Sequence, residues 1–482
     1  MEILKNYQNI AKESSLVVGI FEEQNEVNIN PAIDKEINKL IASGLVGKEL
    51  GKVNKIFTFE KIENELVFII GLGKKEKYSY ENLEIAARSI TKQLNDKLTV
   101  YVDSFLGELD VNEAVKKLVL TNDYYDYAYD ELKSKKEEKT LQIAYYTNKD
   151  IDALVNEYYN VANAINNTRD LVNKPYNLLN ANDLAEYAKS LVSSFENKNV
   201  NVKVLNKKEI EDLEMGAFLG VNKGSSAEPR LIHITYQGKE DFNDPITLIG
   251  KAVMFDTGGY SLKQNMVNMK DDMGGGATVL GVLEAVVKNN LKVNVQVVIA
   301  ATDNRINGEA LLPDDVLTAM NKKTIEIIST DAEGRLTLAD ALTYAQKQGS
   351  KKLIDLATLT GAVVVALGSY TTGAFTNDQE MLEQILQASN NELESLWQLP
   401  ITDNIRDQVR ATKVADIQNS TGRGAGASGA AAFLEEFVEE GSKWVHLDIA
   451  GTAFRSSPSY NEFYGASGVM VKTLYQYLKN IQ

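Results

Sequence analysis

The chain has 482 residues, 44% hydrophobic and 24% charged, a globular balance over a length that calls for two domains. A formal net charge of −16 argues against nucleic acid or an anionic membrane as partner, since either needs a basic face. The absence of cysteine excludes disulfides, thiolate metal sites and cysteine nucleophiles, and fits a reducing compartment, by default the cytoplasm.

The opening "MEILKNYQNIAKES" has no apolar run of the export type. No segment reaches the about 18 uninterrupted apolar residues of a membrane span. Up to residue 150, short strands alternate with helices. "SSLVVGIF", "KIFTFEKI", "ELVFIIGLG", "LTVYVDSF" and "LQIAYYT" read as strands; "NLEIAARSITKQL" and "DVNEAVKKLVL" read as helices. "DELKSKKEEKT" reads as a solvated loop. Nothing here forms a catalytic constellation, so 1–150 is an N-terminal α/β domain. Residues 151–172 read as one long linking helix ending near "NKPYN", and 173–482 as a larger C-terminal domain.

That domain repeats the alternation with strongly apolar strands, "ITLIGKAVMF", "VNVQVVIAAT", "KLIDLATL" and "WVHLDIAG". Such strands imply a sheet covered by helices on both faces. The fold class is therefore α/β, with a central mixed sheet in the larger domain. The only histidines, His233 and His446, lie in strand-like runs and read as core residues. Any metal here must be held mainly by carboxylates, which suits hard or borderline divalent ions.

Four stretches carry the chemistry. In "LIGKAVMFDTGGYSLK", Lys251 interrupts an apolar strand, Asp256 ends it, and Lys263 follows a glycine turn. Lys251 is either an edge lysine reaching solvent or a buried one that needs a partner or must lose its proton. In "MKDDMGGGATVLGVLEAVV", Asp271 and Asp272 precede glycines and an apolar helix; one of them is a possible N-cap. "ATLTGAVVVALG" is a strand-to-helix junction whose small and hydroxyl residues suit a pocket wall. In "STDAEGRL", Asp331, Glu333 and Arg335 alternate with small residues between a strand-like "TIEII" and a helix-like "LTLADALTYAQKQG". An extended backbone would aim the two acids at one face, at the sheet rim where α/β proteins bind ligands. Four converging carboxylates repel. Two divalent cations sharing a bridging carboxylate would resolve that. A neutral lysine beside them has a lone pair to offer a metal.

These stretches together resemble the leucyl aminopeptidase, or cytosol aminopeptidase, family of dinuclear metalloexopeptidases. "TDAEGRL", "VMFDTGGYSLK", "MKDDMGG", "ATLTGAVVVALG", "RDLVNKPYN" and "HLDIAGTAF" match its segments in order. The resemblance covers about 160–482 and extends to the N-terminal domain only by layout. It implies that Lys251, Asp256, Asp272, Asp331 and Glu333 ligate metal. Asp256 and Glu333 would bridge, and Asp331 would add its main-chain carbonyl. It implies a catalytic pair, Lys263 and Arg335, with bicarbonate at Arg335. It places Met269, Thr358, Gly361 and Ala450 around the substrate's first side chain. The ions would be Mn²⁺ or Zn²⁺, with Mg²⁺ or Co²⁺ as alternatives. They would share a hydroxide that attacks peptides with a free N-terminus, leucine and similar residues first, in a cytoplasmic homohexamer.

The sequence departs from the family in places. "KQNMVNMKDD" is short between Lys263 and Asp272, Ser329 replaces an asparagine, and Asp271 is the fallback for Asp272. "GGGAT", "ATDNRINGEALLPDD" and "STGRGAGASGAA" are also spelled differently. Two other readings compete. One is a catalytically impaired scaffold or regulator of the same fold. The other is a phosphoesterase, which would call for histidine ligands and a basic phosphate-holding patch.

Overall fold

The structure, a computed structural model, describes residues 2–4, 14–94, 96–136, 141–422, 424–456 and 463–482. Parts of the opening segment, of "DELKSKKEEKT" and of "STGRGAGASGAA" lie outside the described residues. The chain divides into two compact units, Met1–Asn163 and Ala164–Gln482. The division falls inside one helix, Asp152–Asn173.

The first unit contains β1 (Glu2–Leu4), β2 (Ser15–Ile20), β3 (Val53–Phe57), β4 (Leu66–Gly71), β5 (Lys97–Tyr101) and β6 (Gln142–Tyr146). Their order is β1-β6-β5-β2-β4-β3, parallel except for β3 against β4. The two expected helices are present as Tyr80–Gln93 and Val111–Asp126; they start after Ser79 and Asp110, whose side chains accept from first-turn N–H groups. Two strands are shorter than the sequence suggests. β3 stops at Phe57. β5 stops at Tyr101, where Val102–Phe105 coils into a 3₁₀ turn and the Ser104 hydroxyl donates to the Tyr101 carbonyl.

The second unit is built on β7 (Val200–Leu205), β8 (Arg230–Gln237), β9 (Ile246–Asp256), β10 (Asn294–Asn304), β11 (Val316–Thr318), β12 (Thr324–Glu326), β13 (Lys352–Ala357), β14 (Thr371–Thr376), β15 (Ser395–Gln398), β16 (Ile417–Gln418), β17 (Lys443–Asp448), β18 (Phe454–Arg455) and β19 (Gly465–Ala466). Eight of them form a mixed sheet in the order β15-β14-β17-β13-β9-β10-β8-β7. Its central strands β10, β9, β13 and β17 are parallel. β11, β12 and β16 make a separate small sheet, and β18 pairs with β19.

Both faces of the large sheet are covered, as the apolar strands predict. The helix Gly274–Lys288 is buried from 274 to 287 and packs on the face that carries Ala252. A Cβ on Gly276 would stand 2.9 Å from Ala252 Cβ, and one on Gly275 would stand 2.0 Å from the Leu356 carbonyl oxygen. The glycine run thus lets the helix lie directly on the strands. The helix Gly334–Lys347 lies against Lys251, on the opposite face, since successive strand residues point to opposite sides.

Candidate active site

The site gathers at the carboxyl ends of β9 and β13, where two helices begin. Lys251 is 2% exposed, in a strand whose neighbours are also buried, so the solvent-reaching alternative fails. Its ammonium lies 2.6 Å from Asp272 Oδ1 and 3.0 Å from Glu333 Oε1, and donates to the Thr358 carbonyl at 2.9 Å. Five residues further along β9, Asp256 ends the strand, and the chain turns through Gly258 and Gly259. Lys263 returns to within 2.7 Å of Asp256 Oδ2 and 2.5 Å of Asp331 Oδ1. One oxygen each from Asp256, Asp331 and Glu333 lies within 4.8 Å of the others. The sequence-predicted ligands and Lys263 therefore converge.

Asp272 comes from a 3₁₀ turn, Met269–Met273. Neither aspartate caps the helix that follows, which starts at Gly274 without a side-chain cap. Asp272 instead accepts from Lys251 and from the Thr358 hydroxyl at 2.8 Å. Asp271 stands apart from this network, and burial pushes its carboxyl up to about 7.

The "STDAEGRL" segment differs from its expected form in two ways. Its preceding strand, β12, ends at Glu326 and belongs to the small sheet, not to the large sheet's rim. Nor is it extended. Thr330 and Asp331 form a turn, and Glu333 already has helical torsions (φ −75°, ψ −37°) at the start of Gly334–Lys347. Asp331 and Glu333 reach one centre because the chain turns, not because side chains alternate along a strand. Gly334 makes the approach possible: a Cβ there would lie 2.3 Å from Lys251 Cε.

The electrostatics follow from burial and mutual charge. Burial works against the charge on Lys251, but Asp272, Glu333 and Asp256 outweigh it and raise the ammonium's pKa. Lys263 behaves alike, with Asp256 and Glu333 overcoming burial. With the protein's own charges alone, Lys251 is thus protonated, the reverse of the form expected beside cations. Burial drives Asp272 well above the usual carboxylate range, and raises Asp256 with Glu333 adding to it. Glu333 is held low because Lys251 and Lys263 outweigh its burial. Arg335 is pushed down to about 10 by burial. Its Nη1 donates to the Asn419 carbonyl at 2.7 Å, while its Nε is buried without a hydrogen-bond partner among the described residues.

Sequence reasoning missed the residues that hold this arrangement. Asn419, fully buried, accepts from the N–H groups of Ile328 and Ser329 and donates to the Ser329 carbonyl at 2.7 Å, fixing the turn before Asp331. Thr330 donates to the Gly258 carbonyl at 2.6 Å and accepts from Ser261 N–H at 2.7 Å, joining the Asp331 turn to the glycine turn. Asp448 accepts from Leu359 N–H, Ala450 N–H and the Thr360 hydroxyl. An isolated asparagine or threonine carries no pattern that could have revealed these roles.

Of the four residues expected around the substrate side chain, Thr358 touches the carboxylate cluster directly. Asp448 ties the Leu359–Thr360 segment, which leads to Gly361, to Ala450. Gly361 is exposed at the start of the helix Gly361–Leu367, and Met269 opens the 3₁₀ turn. The histidines lie elsewhere. His446 is fully buried, with Nδ1 2.6 Å from Asp355, and His233 pairs with the Tyr344 hydroxyl at 3.1 Å.

The donor set fits divalent cations. Asp272 Oδ2 and Glu333 Oε2 are buried oxygens with no hydrogen-bond partner among the described residues. Such atoms are costly unless something positive meets them. Hard oxygen donors with one amine, and no histidine or thiolate, are the donor set of a carboxylate-ligated metalloenzyme, here on an α/β sheet. The comparisons with known proteins specify that class. The chain belongs to the cytosol aminopeptidase family: residues 166–475 match its catalytic domain and residues 17–136 its N-terminal domain. It is 41% identical to a probable cytosol aminopeptidase of Bacillus licheniformis, with 98% of each chain covered. It also superposes on two structures of the bottromycin maturation enzyme BotP, one of them in complex with Mn. For each, the TM-score is 0.86 at 28% identity, over 97% of this chain and 99% of the other. The protein is therefore a metal-dependent aminopeptidase, a hydrolase acting on peptides from the N-terminus. Among the described residues no helix is long and apolar enough to cross a membrane.

Proposed function

We propose that Lys251, Asp256, Asp272, Asp331 and Glu333 hold two divalent cations, Mn²⁺ or Zn²⁺ before Mg²⁺ or Co²⁺, and that Lys263 and Arg335 are the catalytic pair. The observation that carries this reading is the pair of interleaved ion pairs, Asp272–Lys251–Glu333 and Asp256–Lys263–Asp331. Two buried carboxylate oxygens beside them lack hydrogen-bond partners among the described residues. Bound there, such ions supply Lewis acidity and lower the pKa of a water.

The chain's own residues do the rest. Lys263 is partly exposed and carries its charge at the edge of the cluster. It donates to the scissile carbonyl as negative charge develops on that oxygen. Arg335, whose buried Nε has no hydrogen-bond partner among the described residues, binds a small anion, bicarbonate in this reading, which accepts and returns the proton. Met269, Thr358, Gly361 and Ala450 receive the first side chain of the peptide, leucine and similar residues. Asp272 rather than Asp271 serves as ligand, because Asp272 alone meets Lys251 and Thr358. The working form is a cytoplasmic homohexamer, a reading that rests on family resemblance.

The test is hydrolysis of leucine-p-nitroanilide by chelator-stripped protein titrated with Mn²⁺ or Zn²⁺, beside N-acetyl-leucine-p-nitroanilide. Metal-restored cleavage of the free-amine substrate alone is expected. Equal cleavage of the acetylated substrate, or none with any metal, would overturn the assignment.

A further inference from the structure

Three carboxylates of the centre follow strands of two separately hydrogen-bonded sheets. Asp256 ends β9 of the large sheet, while Asp331 and Glu333 follow β12 of the small one. Something must fix the distance between these segments. Besides the Thr330 contacts to the glycine turn, the stretch "ATDNRINGEALLPDD" supplies a direct tie to Asp256 itself, through a residue to which the catalytic assignment gives no role.

Asn304 is the last residue of β10, and only 5% exposed. Its single side-chain amide group donates twice. One N–H goes to Asp256 Oδ1 at 2.8 Å, the other to the Thr330 carbonyl at 3.0 Å. One side chain thus joins the end of β9 to the residue just before Asp331. Both neighbours are acceptors, so the amide has one stable orientation; turned over, its oxygen would face two oxygens. The backbone of Asn304 is pinned as well, its carbonyl accepting from the Thr257 N–H at 3.0 Å and from the Thr257 hydroxyl at 2.9 Å.

The register shows that this contact is built in. Along β10 and β9 the partners run in step to Thr302 opposite Val253. The register then shifts, and Asn304 stands opposite Asp256. Without that irregularity Asn304 would face Phe255. Bulges beside active sites typically re-aim a side chain in this way. The result is that Asp256 Oδ1 receives two donors, the Asn304 amide and Gly258 N–H at 2.8 Å. Its Oδ2 is left towards Lys263.

We infer that Asn304 is a positioning residue for the metal centre: it orients the Asp256 carboxylate and sets its spacing from the Asp331–Glu333 turn. The inference rests on the ligand assignment above. Both N–H groups of Asn304 are spent on Asp256 and the Thr330 carbonyl, so it acts by placing other groups. Partners of this kind typically contribute 10–100-fold to metal affinity (about that order).

The experiment compares wild type with Asn304→Leu, which keeps the branched shape without either donor, and Asn304→Ala, as full-length proteins. Chelator-stripped protein is titrated with Mn²⁺ by calorimetry, with folding followed by circular dichroism. Steady-state kinetics on leucine-p-nitroanilide at saturating Mn²⁺ separate kcat from KM. Both variants are expected to fold and to bind Mn²⁺ about 10–100-fold more weakly, with kcat lowered more than KM is raised. Wild-type Mn²⁺ affinity in the folded variants would overturn the inference, whatever their melting temperatures. Loss of the folded state in both variants would overturn it too, by making Asn304 a determinant of the fold. If wild type itself binds no Mn²⁺, the ligand assignment fails first and carries this inference with it.

Discussion

Lys251 Nζ, on a central strand of the large sheet, and Asp272 Oδ1, on the 3₁₀ turn beside it, meet at 2.6 Å, with the lysine 2% and the aspartate 7% exposed. Removing one partner of a buried ion pair leaves the other charge unmatched. Lys251→Met is therefore expected to destabilise the chelator-stripped protein by about 3–5 kcal/mol. Chemical denaturation of the stripped protein checks it; an unchanged midpoint would show that Asp272 and Glu333 relax into solvent or take up protons.

Glu333 is the carboxylate that both lysines hold low. Glu333→Ala is expected to reduce leucine-amide hydrolysis to background and to lower the metal retained after dialysis, measured by elemental analysis. Full activity in this variant would remove Glu333 from the ligand set.

Gly334 lies where a Cβ would strike Lys251 Cε at 2.3 Å. A lysine tip normally swings aside, but this one is held by Asp272, Glu333 and the Thr358 carbonyl. Gly334→Ala should cost about 1–3 kcal/mol of stability through overpacking. It should also weaken Mn²⁺ binding. Calorimetric Mn²⁺ titration alongside thermal melting would show both effects, and a variant matching wild type in each would mean the lysine yields freely.

Asp340 predicts a pH effect away from the centre. Its carboxylate accepts from Met320 N–H and Phe218 N–H, each at 2.8 Å, while burial pushes its pKa from 3.8 up to about 7. A raised folded pKa means that the folded state holds the proton longer. The stabilising contribution is complete below about pH 4 and is lost as pH rises through about 7. Asp340→Asn stays neutral and has one oxygen for two donors, so it should be less stable by about 1–3 kcal/mol at low pH. That deficit should narrow as pH rises from 4 to 7. A constant gap in melting temperature across that range would contradict this.

The chemistry of the centre was legible where residue type alone constrains it. A lysine inside an apolar strand must find acids, and Lys251 does. The glycines that open the helix Gly274–Lys288 mark, in the sequence, a helix start able to sit close on the sheet. Conformation was less legible. Alternation in "STDAEGRL" suits an extended strand, yet tertiary contacts from Asn419 and Thr330 impose a turn. β12 reads like any short strand, and nothing in "TIEII" reveals that it pairs with β11 and β16 instead of joining the large sheet. Asn304 was invisible for a related reason: its role depends on a register shift in a neighbouring strand.

That two-sheet origin also bears on how the enzyme endures. On the proposed ligand assignment, a cation gripped by Asp256 on one side and by Asp331 and Glu333 on the other would work as a clasp across a seam, tying the cohesion of the catalytic unit to ion supply. A ligand at a hundred times its dissociation constant adds about 2.7 kcal/mol. Metal scarcity would then both slow the enzyme and shorten its lifetime.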